Sequence, residues 1–135
     1  MDDCVFCKIA KGEIPSSKIY EDEIVMAFLD ISPANKGHTL VIPKEHFETL
    51  VDIPVGILSK MMKIVRKVAK KAEKKVKAEG YTIMMSNREA GEQAVKHAHI
   101  HVMPRYKTDD FKFAWTHKKY EEGEMDKYRK KIAFD

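Results

Sequence analysis

The feature that most restricts how this chain can fold is an apolar stripe that recurs at steps of three and four residues. The stripe consists of Ile57, Met61, Ile64, Val65, Val68, Ala72 and Val76. This spacing places its members on one side of an α-helix, so we predict a helix over 54–77. Pro54 suits the first turn, which does not need its missing N–H, and Gly80 is expected to end the helix in a left-handed conformation. A helix with one apolar side has to bury that side against a flat partner.

A β-sheet is the flat partner that the sequence offers. Five short apolar or β-branched runs, each bounded by turn residues, predict strands at 18–21, 24–30, 39–43, 81–87 and 97–104. The polar turn at 21–23 predicts that the first two strands form an antiparallel hairpin. The order of the elements predicts an α+β domain, in which a five-stranded antiparallel sheet carries the long helix. We expect residues 1–135 to form a single domain, and we predict no element from residue 107 onward.

Composition narrows the class of protein. The 135 residues are 44% hydrophobic and 34% charged, which is typical of a globular protein rather than of a disordered chain. No apolar run reaches the roughly 18 residues of a membrane span, and the acidic start does not resemble a signal peptide, so we expect a cytoplasmic protein. The net charge is +4, and the lysines between 60 and 77 have no interleaved aromatic residues. Such a run indicates the solvated side of a helix rather than a nucleic-acid surface.

Three histidines alternate with apolar residues in the run His97-Ala98-His99-Ile100-His101. Side chains on a strand alternate between faces, so the three imidazoles are expected on one face and the apolar residues in the opposite layer. Imidazoles in a buried row are costly unless their nitrogens are paired or used, which disfavours a chance arrangement. They can be metal ligands, or one can attack a substrate while its neighbours orient it and donate protons. The spacing alone does not decide between these two interpretations.

A second group with chemical potential is the pair Cys4 and Cys7 in the run Cys4-Val5-Phe6-Cys7. A two-residue spacing lets both thiolates hold one metal ion. A redox-active pair and two inert thiols are the alternatives. The pair opens the chain instead of following a strand into a helix, which disfavours a thioredoxin-like role.

The histidine run and several other segments carry a family resemblance. Residues 91–105, GEQAVKHAHIHVMPR, resemble the His-φ-His-φ-His-φ-φ signature of the histidine triad superfamily, with φ apolar. Four further blocks resemble its branch of histidine-triad nucleotide-binding proteins: CVFCKI at 4–9, GEIP at 12–15, FLDISP at 28–33 and KGHTLVIPKEH at 36–46. The resemblance covers residues 4–105 and leaves 106–135 as a C-terminal extension.

The resemblance implies a nucleotide hydrolase that cleaves at the α-phosphate. The middle histidine of the signature, His99, is then the nucleophile and forms a nucleotidyl-histidine intermediate. His101 and His38 are implied to contact the phosphate, and Gln93 to hydrogen-bond the scissile bridge or the leaving group. Purine nucleoside phosphoramidates or adenylated amines are the implied substrates. Dinucleoside polyphosphate hydrolysis, a nucleotide-binding regulatory module with little turnover, and a metalloenzyme using the three triad histidines are the alternatives.

The same resemblance implies a nucleotide pocket, a zinc site and an assembly. The implied nucleotide-binding residues, which include two triad histidines, are Phe6, Ile9, Ile14, Phe28, Asp30, Asn87, His99 and His101. Asp30 is implied to receive the ribose hydroxyls, and the four apolar residues to hold the base. The implied ligands of one structural zinc per chain are Cys4, Cys7, His46 and His97, and no catalytic cofactor is expected. Members of the branch are homodimers, which implies a continuous ten-stranded sheet.

The sequence also departs from the family pattern near the triad. Glu92 replaces a glycine and adds negative charge where phosphate is expected to bind. Ala94 replaces a hydroxyl residue that contacts phosphate, so weaker binding or an altered substrate choice is expected. Lys96 resembles the dinucleoside-polyphosphate-hydrolysing branch, and the tryptophan-containing C-terminus of one subgroup is not recognisable.

Overall fold

The computed structural model describes residues 3–135 and contains one antiparallel sheet. Its strands are β1 (Lys18–Glu21), β2 (Val25–Leu29), β3 (Thr39–Pro43), β4 (Gly80–Met84) and β5 (Ile100–Arg105). They lie in the order β1-β2-β3-β5-β4, and each neighbouring pair is antiparallel. The helices are α1 (Val5–Ala10), α2 (Val55–Lys75) and α3 (Glu124–Ile132), and a 3₁₀ turn at Leu50–Asp52 precedes α2. The α+β prediction, with five antiparallel strands and one long helix, is confirmed.

Helix α2 packs on one face of the sheet, as its apolar stripe predicts. Its buried residues are Met61, Ile64, Val65, Val68, Ala69 and Ala72. All of them except Ala72 form one cluster with residues of β2, β3 and β5, including Val25, Ala27, Val41, Ile100 and Val102. Burial of a side chain of this size contributes roughly 1.5–3 kcal/mol, so this layer supplies a large part of the stability. None of the helices in the described part of the chain is long and apolar enough to cross a membrane.

The end of α2 differs from the prediction. The helix ends at Lys75, and the residue in the left-handed conformation is Lys77, with φ 57°. Gly80 has no positive φ and instead opens β4. The backbone N–H groups of Val76 and Ala78 both bond to the carbonyl of Ala72, so the chain turns before the glycine is reached. The predicted role of Gly80 is therefore wrong, and a lysine carries the strained conformation.

The histidine run begins before its strand does. Strand β5 starts at Ile100, whereas the sequence predicts a strand from residue 97. The N–H of Ala98 donates to the carbonyl of Phe47 at 2.7 Å, outside the β3–β5 pairing. The predicted alternation nevertheless holds, because Ala98, Ile100 and Val102 all face α2. The opposite face of the sheet carries the histidines.

Two helices were not expected from the sequence. Helix α1 is six residues long and lies against the face of the sheet opposite α2, where Phe6 joins a buried cluster with Met26, Phe28, Leu40 and Ile42. Helix α3 lies in the C-terminal extension and has no buried residue. The extension is held at its start, where the Nε of Arg105 pairs with Asp109 at 2.9 Å.

Candidate functional site

Aromatic rings line up across the face of the sheet opposite α2. The centroid of His101 lies 5.1 Å from that of His38 and 5.0 Å from that of His99. The ring of Phe6 comes next, 5.1 Å from His99 and 5.9 Å from His97. The structure thus brings together the three histidines that the resemblance places at the phosphate. We call His38, His99 and His101 the imidazole row.

A main-chain carbonyl determines which ring nitrogen of His99 carries the proton. Its Nδ1 lies 2.7 Å from the carbonyl oxygen of His97, and a carbonyl only accepts, so Nδ1 carries the proton. The lone pair is therefore on Nε2, the other nitrogen of the ring. Burial lowers the pKa of His99 below its ordinary value, so the ring is neutral at neutral pH. A neutral imidazole with a free Nε2 is the form that attacks phosphorus.

One backbone N–H donor determines which ring nitrogen carries the proton in His38 and in His101. The N–H of Ala34 donates to Nδ1 of His38 at 3.0 Å, which places the proton of His38 on Nε2. That Nε2 lies 2.8 Å from Nδ1 of His101 and donates to it. His101 consequently carries its own proton on Nε2. Burial is the largest cause that lowers the pKa of His101 to about 4, so it is a neutral hydrogen-bond donor.

Asp30 lies beside this end of the row. Its Oδ2 is 3.6 Å from Nε2 of His38, and its Oδ1 accepts from the N–H of Ser32 at 2.9 Å. The carboxylate is one-fifth exposed, so it is open to a ligand that approaches the row. Asp30, which the resemblance implies as the ribose-binding residue, therefore lies next to the imidazole row.

The residues implied to hold the base divide into two sets. Phe6 and Phe28 contact each other edge to face, with centroids 5.6 Å apart. Ile9 packs against the same buried cluster. Ile14 is half-buried in the loop after α1 and lies outside that cluster. Three of the four residues thus form one apolar surface next to His99.

The side-chain amides of Gln93 and Asn87 form hydrogen bonds that hold the loop between β4 and β5 in place. The Nε2 of Gln93 donates to the carbonyls of Glu48 and Val95, and its Oε1 accepts from the N–H of Arg88. The Oδ1 of Asn87 accepts from the N–H of Leu50 at 2.8 Å. In this arrangement both N–H donors of Gln93 are occupied, so it donates to a substrate only by exchanging one of these bonds. Neither amide is hydrogen-bonded to the imidazole row among the described residues.

The backbone of the same loop is tightly constrained. Arg88 and Glu92 both have φ 66°, the left-handed region that favours glycine. A Cβ added to Gly91 would lie 2.2 Å from the carbonyl oxygen of Asn87. The glycine that the family has at position 92 would therefore be unstrained there, whereas Glu92 is not.

Four predicted metal ligands meet at the other end of the line of rings. The Sγ of Cys4 lies 3.3 Å and that of Cys7 3.5 Å from Nδ1 of His97, and the Sγ of Cys7 lies 3.3 Å from Nδ1 of His46. All four ligand atoms lie within 4.8 Å of one another. We call Cys4, Cys7, His46 and His97 the metal cluster.

The chemistry of the metal cluster fits zinc. The Nε2 of His97 donates to the carbonyl of Pro43 at 2.8 Å, so its lone pair is on Nδ1 and faces the thiols. Two sulfur and two nitrogen donors form a common structural zinc set, and a carbonyl behind a ligating histidine is the usual support. Within residues 3–135, the three triad histidines do not share one group of ligand atoms: His97 belongs to the metal cluster, whereas His101 lies in a second group with Asp30 and His38. This geometry disfavours the metalloenzyme interpretation.

The sequence could not reveal which main-chain groups set the protons. Ala34 and Pro43 act through an N–H and a carbonyl, and the carbonyl of His97 acts on His99. Side-chain identity carries no signal for such contacts. They become visible only when the fold brings the segments together.

Comparison with known proteins defines the class of protein to which this fold and this site belong. The HIT domain family matches residues 11–108, so the chain belongs to the HIT family. An uncharacterized HIT-like protein of Methanocaldococcus jannaschii is 48% identical over 106 residues, which are 78% of this chain and 81% of that protein. A relative named adenosine 5'-monophosphoramidase from Saccharomyces cerevisiae is 42% identical over 102 residues, 76% of this chain and 62% of its own length.

Solved structures agree with this assignment. The SMU.412c protein from Streptococcus mutans superimposes with a TM-score of 0.91 and 42% identity over 98% of this chain and 84% of that chain. A zinc-bound histidine triad family protein from Mycobacterium smegmatis superimposes with a TM-score of 0.78 and 40% identity over 83% of this chain and 81% of that chain. The predicted resemblance to the histidine triad superfamily is confirmed.

Proposed function

We propose that this protein hydrolyses purine nucleoside phosphoramidates or adenylated amines at the α-phosphorus, with His99 as the nucleophile. The observation that carries the proposal is the bond from Nδ1 of His99 to the carbonyl of His97, which leaves Nε2 free to attack. The relative named an adenosine 5'-monophosphoramidase supports the substrate class and the choice of a purine.

The reaction has two displacements. In the first, Nε2 of His99 forms a bond to phosphorus while the P–N bond to the leaving group breaks, and the leaving nitrogen takes up a proton and departs as an amine. In the second, water attacks phosphorus, loses a proton, and displaces His99 to give the nucleoside monophosphate. The Nε2–H of His101 donates to the phosphoryl oxygens and offsets the charge that grows on them. His38 holds His101 in the tautomer that can donate.

The nucleotide lies across the row with its base on the apolar surface of Phe6 and Phe28. Ile9 and Ile14 complete the slot, and Asp30 accepts hydrogen bonds from the ribose hydroxyls. Asn87 and Gln93 face the phosphate and the leaving group once they exchange their bonds to the backbone of Leu50 and Glu48. Ala94 offers no hydroxyl to the phosphate, so binding depends more on the imidazole row.

A structural zinc at the metal cluster and a homodimer complete the proposal. The donor set and the zinc-bound relative from Mycobacterium smegmatis support the zinc. A zinc ion contributes roughly 10–16 kcal/mol of apparent binding energy in small zinc-finger peptides, enough to hold the short N-terminal helix in place. Strand β4 lies at the edge of the sheet and exposes Tyr81 and Ile83, which supports edge-to-edge pairing with a second copy into ten strands. Light scattering at micromolar concentration tests the dimer, and a monomer there contradicts it.

The decisive experiment measures AMP release from an adenosine phosphoramidate. We expect turnover by the wild type, a loss of several orders of magnitude in His99→Ala, and retained AMP binding in that variant. His117→Ala is the matched control, because His117 lies in the C-terminal extension and its removal leaves the site intact. An active His99→Ala protein would refute the assignment of the nucleophile.

A binding module with little turnover is the second candidate. The carbonyls of Glu48 and Val95 occupy both N–H donors of Gln93, and this observation favours slow release of a leaving group. If neither wild type nor variant turns over but both bind AMP, this candidate replaces the hydrolase. Dinucleoside polyphosphates test the remaining alternative: a higher kcat/KM for them than for phosphoramidates would change the substrate class.

A further inference from the structure

Helix α1 joins the metal cluster to the nucleotide site. Two of the cluster's ligands, Cys4 and Cys7, stand at the start of this helix, and the Sγ of Cys4 also accepts from the N–H of Cys7 at 3.3 Å. A helix of six residues is not stable by itself, so its position depends on what holds its ends. The residue between the two thiols that points into the protein is Phe6, which is 7% exposed.

Phe6 contacts both sites at once. Its ring meets His97 of the metal cluster edge to face at 5.9 Å and the nucleophile His99 at 5.1 Å. It also meets Phe28 at 5.6 Å, on the surface proposed to hold the base. Any movement of α1 therefore moves one wall of the nucleotide site.

A second connection runs through His97. Its ring belongs to the metal cluster, while its carbonyl oxygen holds the Nδ1 proton of His99 at 2.7 Å. The orientation of this one residue is thus shared by the metal ligands and by the nucleophile. Phe6 and His97 therefore each connect the metal cluster directly to the ring of His99, Phe6 by its ring contacts and His97 by its carbonyl oxygen.

We propose that metal binding at the cluster and nucleotide binding at the imidazole row are energetically coupled, and that Phe6 is the positioning residue that carries most of the coupling. The inference rests on the proposed function only in taking AMP as the ligand of the row. Coupling between two sites is reciprocal: zinc raises the affinity for AMP by the same factor by which AMP raises the affinity for zinc. The protein therefore holds nucleotide more tightly when its zinc is in place, and bound nucleotide slows the loss of zinc.

The test is a binding cycle on three proteins. The affinity for AMP is measured by calorimetry with and without stoichiometric zinc, and the affinity for zinc by competition with a chromophoric chelator, with and without AMP. We expect at least a fivefold change in the wild type, equal in the two directions, because couplings between sites are typically about 5–150-fold. In Phe6→Leu, which keeps an apolar side chain but removes the ring edge, zinc still binds and the factor falls toward one.

Val5→Ala is the matched control. Val5 lies between the same two cysteines but is 40% exposed, so its truncation is expected to keep the wild-type factor. The rate of zinc loss to excess chelator provides a second readout that does not need a folded metal-free protein. Saturating AMP is expected to slow this loss in wild type and in Val5→Ala, and not in Phe6→Leu.

The outcomes separate the two proposals. If AMP binds the zinc-loaded wild type but neither its affinity nor the rate of zinc loss shows coupling, the inference is overturned and the proposed function stands. If Phe6→Leu keeps the full factor, coupling exists but Phe6 does not carry it, and the positioning role is overturned. If AMP does not bind the zinc-loaded protein at all, the proposed function itself has failed.

Discussion

Gly91 offers the sharpest test of how the loop beside the site is built. An added Cβ would lie 2.2 Å from the carbonyl oxygen of Asn87 and 3.1 Å from its carbonyl carbon, whereas ordinary contact begins near 3.4 Å. Both obstacles are backbone atoms, so no side-chain rotation removes the overlap. In Gly91→Ala the loop has to move by about 1 Å, a displacement of the size that misplaces a catalytic group.

The cost can be worked out from this overlap. Overpacking of a constrained site typically destabilises by about 1–3 kcal/mol. For a chain of this size, 1 kcal/mol lowers Tm by roughly 4 °C, so we expect a drop of about 4–12 °C. Because Asn87 and Gln93 belong to the displaced loop, we also expect kcat/KM to fall by up to about 100-fold.

The assay compares thermal unfolding and phosphoramidate turnover of Gly91→Ala with those of Gly56→Ala. Gly56 lies in the first turn of α2, and a Cβ there meets nothing within 4 Å. The same substitution is expected to stabilise the protein there by roughly 0.5–1 kcal/mol, because alanine suits a helix better than glycine. A Gly91→Ala protein as stable as the wild type would refute the account of the loop.

Three further predictions concern strain, pH and metal. Glu92→Gly is expected to raise the free energy of unfolding by about 0.5–1 kcal/mol, measured by thermal unfolding, because it removes a glutamate with φ 66° from the left-handed region. Glu89 has no positive φ, so Glu89→Gly is expected to lower the free energy of unfolding. Burial lowers the pKa of His99 below its ordinary value and brings that of His101 to about 4, so the nucleophile proposed above becomes charged only below its ordinary pKa and His101 only near pH 4. As the pH is lowered, kcat/KM is therefore expected to fall with a midpoint below 6.5, because protonation of His99 removes the attacking lone pair; a midpoint at or above 6.5 would contradict this. Cys7→Ser is expected to abolish stoichiometric zinc in elemental analysis and to lower Tm, and a variant that retains one zinc per chain would show that the cluster is not the site.

Periodicity was sufficient for the parts of the fold that rest on a repeating pattern. The stripe from Ile57 to Ala72 predicted α2 because a buried helix face has to repeat at this spacing. The alternation after His97 correctly separated the face toward α2 from the face with the histidines, although the strand itself begins only at Ile100. Short elements carry too few residues for such a pattern, and this is why α1 was not predicted.

Glycine chemistry was a less reliable guide. Gly80 was expected to adopt the left-handed conformation, but Lys77 adopts it instead. The turn is set by two N–H groups that converge on the carbonyl of Ala72, a contact that local residue preferences do not encode. In the same way, Arg88 and Glu92 hold positive φ angles in a loop whose Gln93 side chain is bonded to the N–H of Arg88 and to the carbonyl of Glu48.

For the candidate site, the sequence indicated which side chains to expect but not how they are held. The resemblance named the imidazole row and the metal cluster, and the structure brings the members of each group together. The structure adds most for Gln93 and Asn87, because both amides are hydrogen-bonded to the backbone of the segment between β3 and α2, at Glu48 and Leu50. A sequence motif gives the identity of such a residue but not its hydrogen-bond partners in the structure.

The backbone contacts that determine the tautomers of the imidazole row restrict which amino-acid substitutions the protein tolerates. The N–H of residue 34 sets the tautomer of His38, and through it that of His101, while the side chain at position 34 takes no part. Almost any residue at that position preserves the N–H, but proline lacks it. Selection at position 34 is therefore expected to act against a single amino acid rather than in favour of one, so a search for preferred residues would not detect this part of the candidate site.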